Sequence, residues 1–253
     1  MLHRGMPEKA IRWWGRVTHY LAATTRLGRM VALHTGDRLF KWEHYYEIYD
    51  RHFDRFRGRE ITLLEIGVSN GGSLALWRKY FGPKARLIGV DIEPDCLQYA
   101  KPGTVICIGS QDDPAFLRRV AAEHGPFDIV IDDGSHAYEH QRLSFETLFE
   151  HIKDDGLYVC EDVCTSYWTE VFGGGPKEAG TFIEYLKNEI DELNAWFWRE
   201  DREIGPDSHT RTMHAIQFYA ALAIIEKRRV KPPIIAHVGS RYRRRGRRAP
   251  AKS

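Results

Sequence analysis

Between Ile61 and Cys160 five short apolar runs alternate with segments of helical character. The runs are Thr62–Ile66, Arg86–Val90, Thr104–Ile108, Phe127–Ile131 and Gly156–Cys160, and the helical segments are Ser73–Tyr80, Asp95–Ala100, Pro114–His124 and His140–His151. Strands buried on both faces read as continuous apolar runs, and parallel neighbours need a crossover between them. The alternation therefore predicts an α/β fold built on a parallel sheet. Beyond it come the triplet Gly173, Gly174, Gly175, read as a loop, a helix over Thr181–Trp198, and two last strands, His214–Tyr219 and Leu222–Glu226, joined by a tight connection.

Upstream of the sheet, Trp13, Trp14, Tyr20 and Leu21 among Ala and Arg suggest amphipathic helices. In Glu43–Arg57 the residues Tyr45, Tyr49, Phe53 and Phe56 recur at helical spacing, which makes one aromatic face. The expected organisation is a helical segment over 1–58, a catalytic α/β domain over 59–230 and a basic, disordered tail over 231–253. With 43% hydrophobic and 28% charged residues in 253, wholesale disorder is excluded, and no stretch reaches the roughly 20 apolar residues that span a bilayer. The N-terminus lacks the apolar core of a signal peptide, so a cytoplasmic protein is expected. Cys96, Cys107, Cys160 and Cys164 are read as buried thiols rather than a zinc site.

The net charge of +2 hides an asymmetry. Of 37 basic residues, 11 follow Glu226, where there is no acidic residue, so the first 226 residues carry 26 basic against 35 acidic side chains. An acidic body argues against nucleic acid as the partner, although the run from Arg241 to Arg248 could touch an anionic one.

The first run leads into Gly67-Val68-Ser69-Asn70-Gly71-Gly72-Ser73 and a helix. Such a glycine turn lets backbone approach a ligand at a helix N-terminus, but the spacing is not the dinucleotide GxGxxG. The second run ends at Asp91, an acid placed to accept two ribose hydroxyls, and the third is followed by Gly109, Ser110, Gln111 and Asp112, which suit an adenine edge. Open α/β sheets bind ligands beyond the carboxyl ends of their strands, where all three segments fall. Together they describe an adenosine pocket.

The fourth run ends at Asp132-Asp133-Gly134-Ser135-His136 and the fifth at Glu161-Asp162. As neighbouring strand ends they would bring Asp133, Glu161 and Asp162 together, and a hard cation such as Mg²⁺ relieves the repulsion of three carboxylates. The alternative is an Asx turn with helix caps. His136, three residues past Asp133, is the candidate general base.

The segments LLEIGVSNGGSLALW, GVDIEPDC, IGSQDD, FDIVIDDGSHAYEHQRLSFETLF and GLYVCEDVCTSYW together resemble the class I S-adenosylmethionine-dependent methyltransferases that act on sugar hydroxyls, as in macrolide sugar O-methylation. The resemblance implies a Rossmann-like, seven-stranded, mostly parallel sheet with its last strand antiparallel. It also implies Mg²⁺ dependence and a homo-oligomer. Carried over by motif, Glu65, Gly67, Asn70 and Ser73 fall in the cofactor turn, Asp91 on the ribose and Ser110 and Gln111 near the adenine. Asp133 serves cofactor and metal, Glu161 and Asp162 complete the metal set, and His136 is the base. Tyr45 and Tyr49 match an aromatic segment covering the cofactor, with core packing as the alternative. The acceptor is then a sugar of a glycoside or polysaccharide, its pocket drawn from Tyr167, Trp168, the Gly173–Gly175 loop and the helix near Trp196. Competing readings are a methyltransferase for another small molecule or for nucleic acid, and a nicotinamide oxidoreductase.

Overall fold

The seven strands lie in the order β3-β2-β1-β4-β5-β7-β6 in the computed structural model, which describes residues 17–198 and 206–239. They are β1 Thr62–Ile66, β2 Arg86–Asp91, β3 Thr104–Ile108, β4 Phe127–Asp132, β5 Ile152–Cys160, β6 Met213–Tyr219 and β7 Leu222–Lys227. β1 pairs in parallel with β2 and β4, and so do β2 with β3 and β4 with β5. β7 runs antiparallel to both β5 and β6, which bears out the expected sheet. The order reverses at β1, so the loops after β1 and β4 face each other across a crevice at the carboxyl edge, where such sheets take ligands.

Successive strand residues point to opposite faces, and both faces of this sheet are covered. Leu63, Leu87, Ile129, Leu157 and Ile224 pack on one side with α2 (Tyr45–Phe53) and α3 (Gly72–Phe81). Leu64, Ile88, Val130, Tyr158 and Ile225 pack on the other with α4 (Pro114–His124), α5 (Tyr138–Leu148) and α6 (Phe182–Leu193). Each fully buried large apolar side chain stabilises the fold by roughly 1.5–3 kcal/mol relative to exposure. A shorter helix, α1 (Arg26–Ala32), starts at Thr25, whose side chain accepts from the Gly28 N–H at 3.1 Å. α4 starts with Pro114 after Asp113, whose carboxylate accepts from the N–H groups of Ala115 (2.8 Å) and Phe116 (3.0 Å), so sequence alone stops and starts the chain there.

Where the structure differs from expectation, the causes are local. The aromatic face of α2 packs into the core: Tyr45, Tyr49 and Phe53 have no exposure and join Trp77 there. The segment Pro94–Tyr99 is a 3₁₀ helix, not an α-helix. β5 begins at Ile152, four residues earlier than its apolar run, because Lys153 pairs with Asp128 at 2.7 Å and Ile152 stays buried opposite Phe127. The helix expected to reach Trp198 ends at Leu193, where the Asn194 amide donates to the Ile190 carbonyl at 2.8 Å, and a 3₁₀ turn over Ala195–Phe197 follows. Residues 231–239 form no element and are exposed, while Trp13, Trp14 and the arginine run from Arg241 lie outside the described residues. No helix among the described residues is long and apolar enough to cross a membrane.

Candidate active site

The turn after β1 is forced by close approach. Gly67 sits at φ 90°, and a Cβ there would lie 2.0 Å from the Asp133 carbonyl oxygen, so only glycine lets the β1 and β4 loops touch. The Asp91 carboxylate organises the same turn from the end of β2. Its Oδ2 accepts from the N–H groups of Val68 (2.8 Å) and Ser69 (2.9 Å), and its Oδ1 from that of Glu93 (2.9 Å). Beside it opens a cavity of about 560 Å³ lined by Gly67, Asp91, Ser110, Gln111, Asp133 and His136 together with Phe40, Asp112, Ser135 and His140. That volume suits a nucleoside-sized ligand.

Asn70 and Ser73 fall in a narrow adjoining cleft with Arg38 and Lys41, not in this cavity. Glu65 lines neither. It is buried beneath the turn, accepting from Ser73 Oγ at 2.8 Å and Trp77 Nε1 at 3.2 Å.

Gln111 borders the cavity, but its amide is committed elsewhere. Nε2 donates to Asp132 Oδ1 at 2.6 Å, and Oε1 accepts from the Ser135 N–H at 2.9 Å, so the side chain ties the loop after β3 to the loop after β4. Asp132, which also accepts from the Tyr158 hydroxyl at 3.0 Å, is fully buried. Burial pushes its carboxyl up to about 7 against the hydrogen bonds of Tyr158 and Gln111. An acid whose folded pKa lies above its unfolded value of 3.8 binds its proton in the native state first, so this site loses stability as pH rises from about 4 to 7. Thermal melting of Asp132→Asn should therefore show a shallower decline across that window than the parent chain; identical slopes would show that Asp132 is ionised throughout.

At the carboxyl edge of β4 and β5 the side chains of Asp133, His136 and Asp162 each offer one possible ligand atom, all within 4.8 Å of one another. His136 Nε2 lies 3.7 Å from Asp162 Oδ2 and 4.0 Å from Asp133 Oδ1. Both His136 (φ 58°) and Asp162 (φ 52°) hold left-handed backbone that non-glycine residues rarely adopt. Thr165 Oγ1 fixes the first by donating to the His136 carbonyl at 2.7 Å. The two carboxylates, each partly open to water, suit a hard divalent cation that keeps waters among its ligands, and the His136 imidazole stands beside them.

Glu161 stands beside that group, with its Oε1 engaged by the Tyr49 hydroxyl and by Lys41. Lys41 is the residue that the sequence reading missed. Its ammonium, 1% exposed, lies 2.7 Å from Asp133 Oδ2, 2.5 Å from Glu161 Oε1 and 3.6 Å from Glu65 Oε1. Burial alone would lower its pKa, but Asp133, Glu161 and Glu65 outweigh burial and hold it well above the ordinary value. Burial, then the repulsion of Asp133, raises the Glu161 carboxyl in turn.

Tyr45 and Tyr49 do not line the cavity. They stand behind the acids, the Tyr45 hydroxyl 2.8 Å from Asp162 Oδ1 and the Tyr49 hydroxyl on Glu161. Of the expected acceptor residues, Tyr167 borders a second cavity, whereas Trp196 is held away by its Nε1–H, which donates to the Thr210 carbonyl at 3.3 Å.

A seven-stranded sheet of this order is the fold of the class I Rossmann-like methyltransferases, and it carries here a nucleoside-sized cavity and an acid cluster at its carboxyl edge. Residues 64–163 match the family described as Methyltransferase domain. It is 40% identical over 221 residues to the 8-demethyl-8-(2-methoxy-alpha-L-rhamnosyl)-tetracenomycin-C 3'-O-methyltransferase of Streptomyces olivaceus, covering 82% of this chain and 56% of that protein. It is likewise 40% identical over 192 residues to the mycinamicin VI 2''-O-methyltransferase of Micromonospora griseorubida, covering 72% and 47%. Among solved structures it matches the MycE methyltransferase from the mycinamycin biosynthetic pathway, in complex with Mg and SAH, with a TM-score of 0.70 and 38% identity over 75% of this chain and 51% of that one. The chain thus spans about half the length of the curated relatives it matches.

Proposed function

We propose that this chain transfers a methyl group from S-adenosylmethionine to a sugar hydroxyl of a glycoside, assisted by Mg²⁺ and by His136 as general base. The observation that carries the reading is that Asp133 lies at once in the wall of the nucleoside-sized cavity and within reach of Asp162, its partner in holding a cation, with His136 beside both, so methyl donor and acceptor would meet there. The sugar acceptor is supported by the relatives named above, one of which is known in complex with Mg, SAH and mycinamycin VI. A homo-oligomeric enzyme is part of the same reading and is supported by the family resemblance alone.

When bound, S-adenosylmethionine supplies an electrophilic methyl group and Mg²⁺ supplies Lewis acidity toward a hydroxyl. The chain's residues do the rest. Asp91, already oriented by three backbone N–H groups, would accept the ribose hydroxyls, and Gly67 gives backbone room beside them. Ser110 and Asp112 offer polar groups at the far end of the cavity, where Ser135 and His140 share a 2.8 Å hydrogen bond. Asp133, Asp162 and the adjacent Glu161 would hold the cation. His136 Nε2 would take the acceptor hydroxyl's proton, and the imidazolium so formed is stabilised by Asp162 at 3.7 Å.

Calorimetry tests the donor. S-adenosylmethionine should bind, and Asp91→Ala should weaken it roughly 10- to 100-fold, the loss expected for hydrogen bonds to a charged group. Binding of a nicotinamide dinucleotide with none of the methyl donor would overturn the proposal.

A further inference from the structure

Lys41 is carried by no strand or helix; it stands in an irregular strap, residues 38–42, just ahead of α2. The strap crosses directly over the start of α3, where a Cβ on Gly72 would come within 2.3 Å of the Arg38 carbonyl oxygen. Among the described residues, the backbone of residues 38–41 makes no hydrogen bond to the rest of the chain, so side chains hold it. Leu39 packs against the core, and Phe40, 86% exposed, walls the nucleoside-sized cavity. Lys41 is sealed among Glu65, Asp133 and Glu161, and the Trp42 Nε1–H donates to Asp162 Oδ1 at 2.9 Å.

Two consecutive residues thus engage one oxygen of every acid proposed for the cation. The ammonium takes Asp133 Oδ2 and Glu161 Oε1, and the indole takes Asp162 Oδ1. The remaining oxygens of the two aspartates, Asp133 Oδ1 and Asp162 Oδ2, are the ones that face His136. Glu161 precedes Asp162 in the chain, yet it is not in the group formed by Asp133, His136 and Asp162, because it turns to Lys41 and the Tyr49 hydroxyl. A cation held by all three acids therefore needs oxygens that Lys41 engages. Mg²⁺ takes its oxygens at about 2.0–2.1 Å, so an ammonium bonded to the same oxygens would stand only a few ångströms from it. Away from water, two positive charges that close repel strongly.

We propose that Lys41 is a resident counter-ion that competes with the divalent cation for Asp133 and Glu161, and that cation binding expels it, with its strap, from the acid cluster. The proposal rests on the cation-assisted reading above and adds what sets the cation's affinity and charge. A monovalent ion that displaced the ammonium would exchange one positive charge for another and gain nothing among the acids. A divalent ion brings one charge more, so Lys41 makes a charge of at least two the condition for entry. Once Lys41 leaves, Phe40 loses the anchor beside it, and occupancy by the cation is felt in the wall of the methyl-donor cavity.

The test reads binding and accessibility, not turnover. Trace acetylation of the parent chain, followed by peptide mass spectrometry, compares Lys41, 1% exposed, with Lys187, 45% exposed, as internal control. In Na⁺ Lys41 should be nearly unreactive. Saturating Mg²⁺ at matched ionic strength should raise its labelling several-fold and leave Lys187 unchanged. Mn²⁺ affinity, read from the paramagnetic resonance signal of the free ion, should be about tenfold higher in Lys41→Met than in the parent, and Lys41→Arg, which keeps the charge, should not share the gain. The labelling arm needs only the parent chain and decides the matter whether or not Lys41→Met folds. Lys41 as unreactive in Mg²⁺ as in Na⁺, or Mn²⁺ bound no more tightly by a folded Lys41→Met, would overturn the competition while leaving the cation site in place. Mn²⁺ bound by neither chain would remove the cation from the proposed function, and the competition with it.

Discussion

In a glycoside methylation assay at saturating S-adenosylmethionine, His136→Ala should turn over about 10²- to 10⁴-fold more slowly than the parent chain, the usual contribution of a positioned general base. Its imidazole is 30% exposed toward the cavity and 3.7 Å from an acid that would stabilise its protonated form. The backbone there is left-handed, so alanine adds strain of its own, and His136→Asn provides the control because asparagine tolerates that conformation. Both variants should bind S-adenosylhomocysteine and Mn²⁺ with parental affinity. A chelator should abolish parental turnover and added Mg²⁺ should restore it. Near-normal turnover in both variants would move the base to Asp133, and loss of Mn²⁺ binding would make His136 a ligand instead.

Lys41→Met should lower stability by about 3 kcal/mol or more at neutral pH, because removing one partner of a buried ion pair leaves the others uncompensated. Three carboxylates surround the ammonium, and two of them, Glu65 and Glu161, are as sealed from water as Lys41 itself. For a chain of this size such a loss corresponds to a fall in melting temperature of about 10 °C. The sign of the pH effect follows from the carboxylates. Burial already raises Glu65 and Glu161 above their unfolded values, and without Lys41 they rise further, so protonation in acid relieves the penalty. The difference between variant and parent should therefore shrink as pH falls through the range where these acids take up protons. A variant as stable as its parent at pH 8 would show that the cluster is compensated by other means.

The acids were legible because their position follows from topology. Once β4 and β5 are adjacent parallel strands, whatever follows Ile131 and Cys160 must share one edge, and Asp133, Glu161 and Asp162 follow them. Asp91 and Gly67 were legible for the same reason. Lys41 was not, since it lies in an irregular stretch between Phe40 and Trp42 and no periodicity points it anywhere; the one available signal was a lone lysine flanked by aromatics in an acidic body. The role of Gln111 was hidden by strand parity. Asp132 and Asp133 are consecutive and face opposite sides of the sheet, and only the structure shows that Gln111 answers the inner one. The aromatic stripe of α2 was read correctly as one face, but periodicity cannot say whether such a face covers a ligand or joins a core, and here it does the latter while lending its hydroxyls to Glu161 and Asp162.

The bonds that gather the acid cluster span long stretches of chain: 92 residues from Lys41 to Asp133, 120 from Lys41 to Glu161, and 176 from Tyr45 to Ala221. Closing loops of that length costs entropy, so the Lys41 and Tyr45 contacts form late relative to the pairing of neighbouring strands. Asp133 and Asp162 meet as soon as β4 and β5 pair, whereas Lys41 and the Tyr45 hydroxyl reach them only once the helical segment before the sheet and the β6–β7 connection are in place. A divalent ion added during refolding should therefore report the pairing of β4 with β5, ahead of the ammonium and hydroxyl that later close over the two acids.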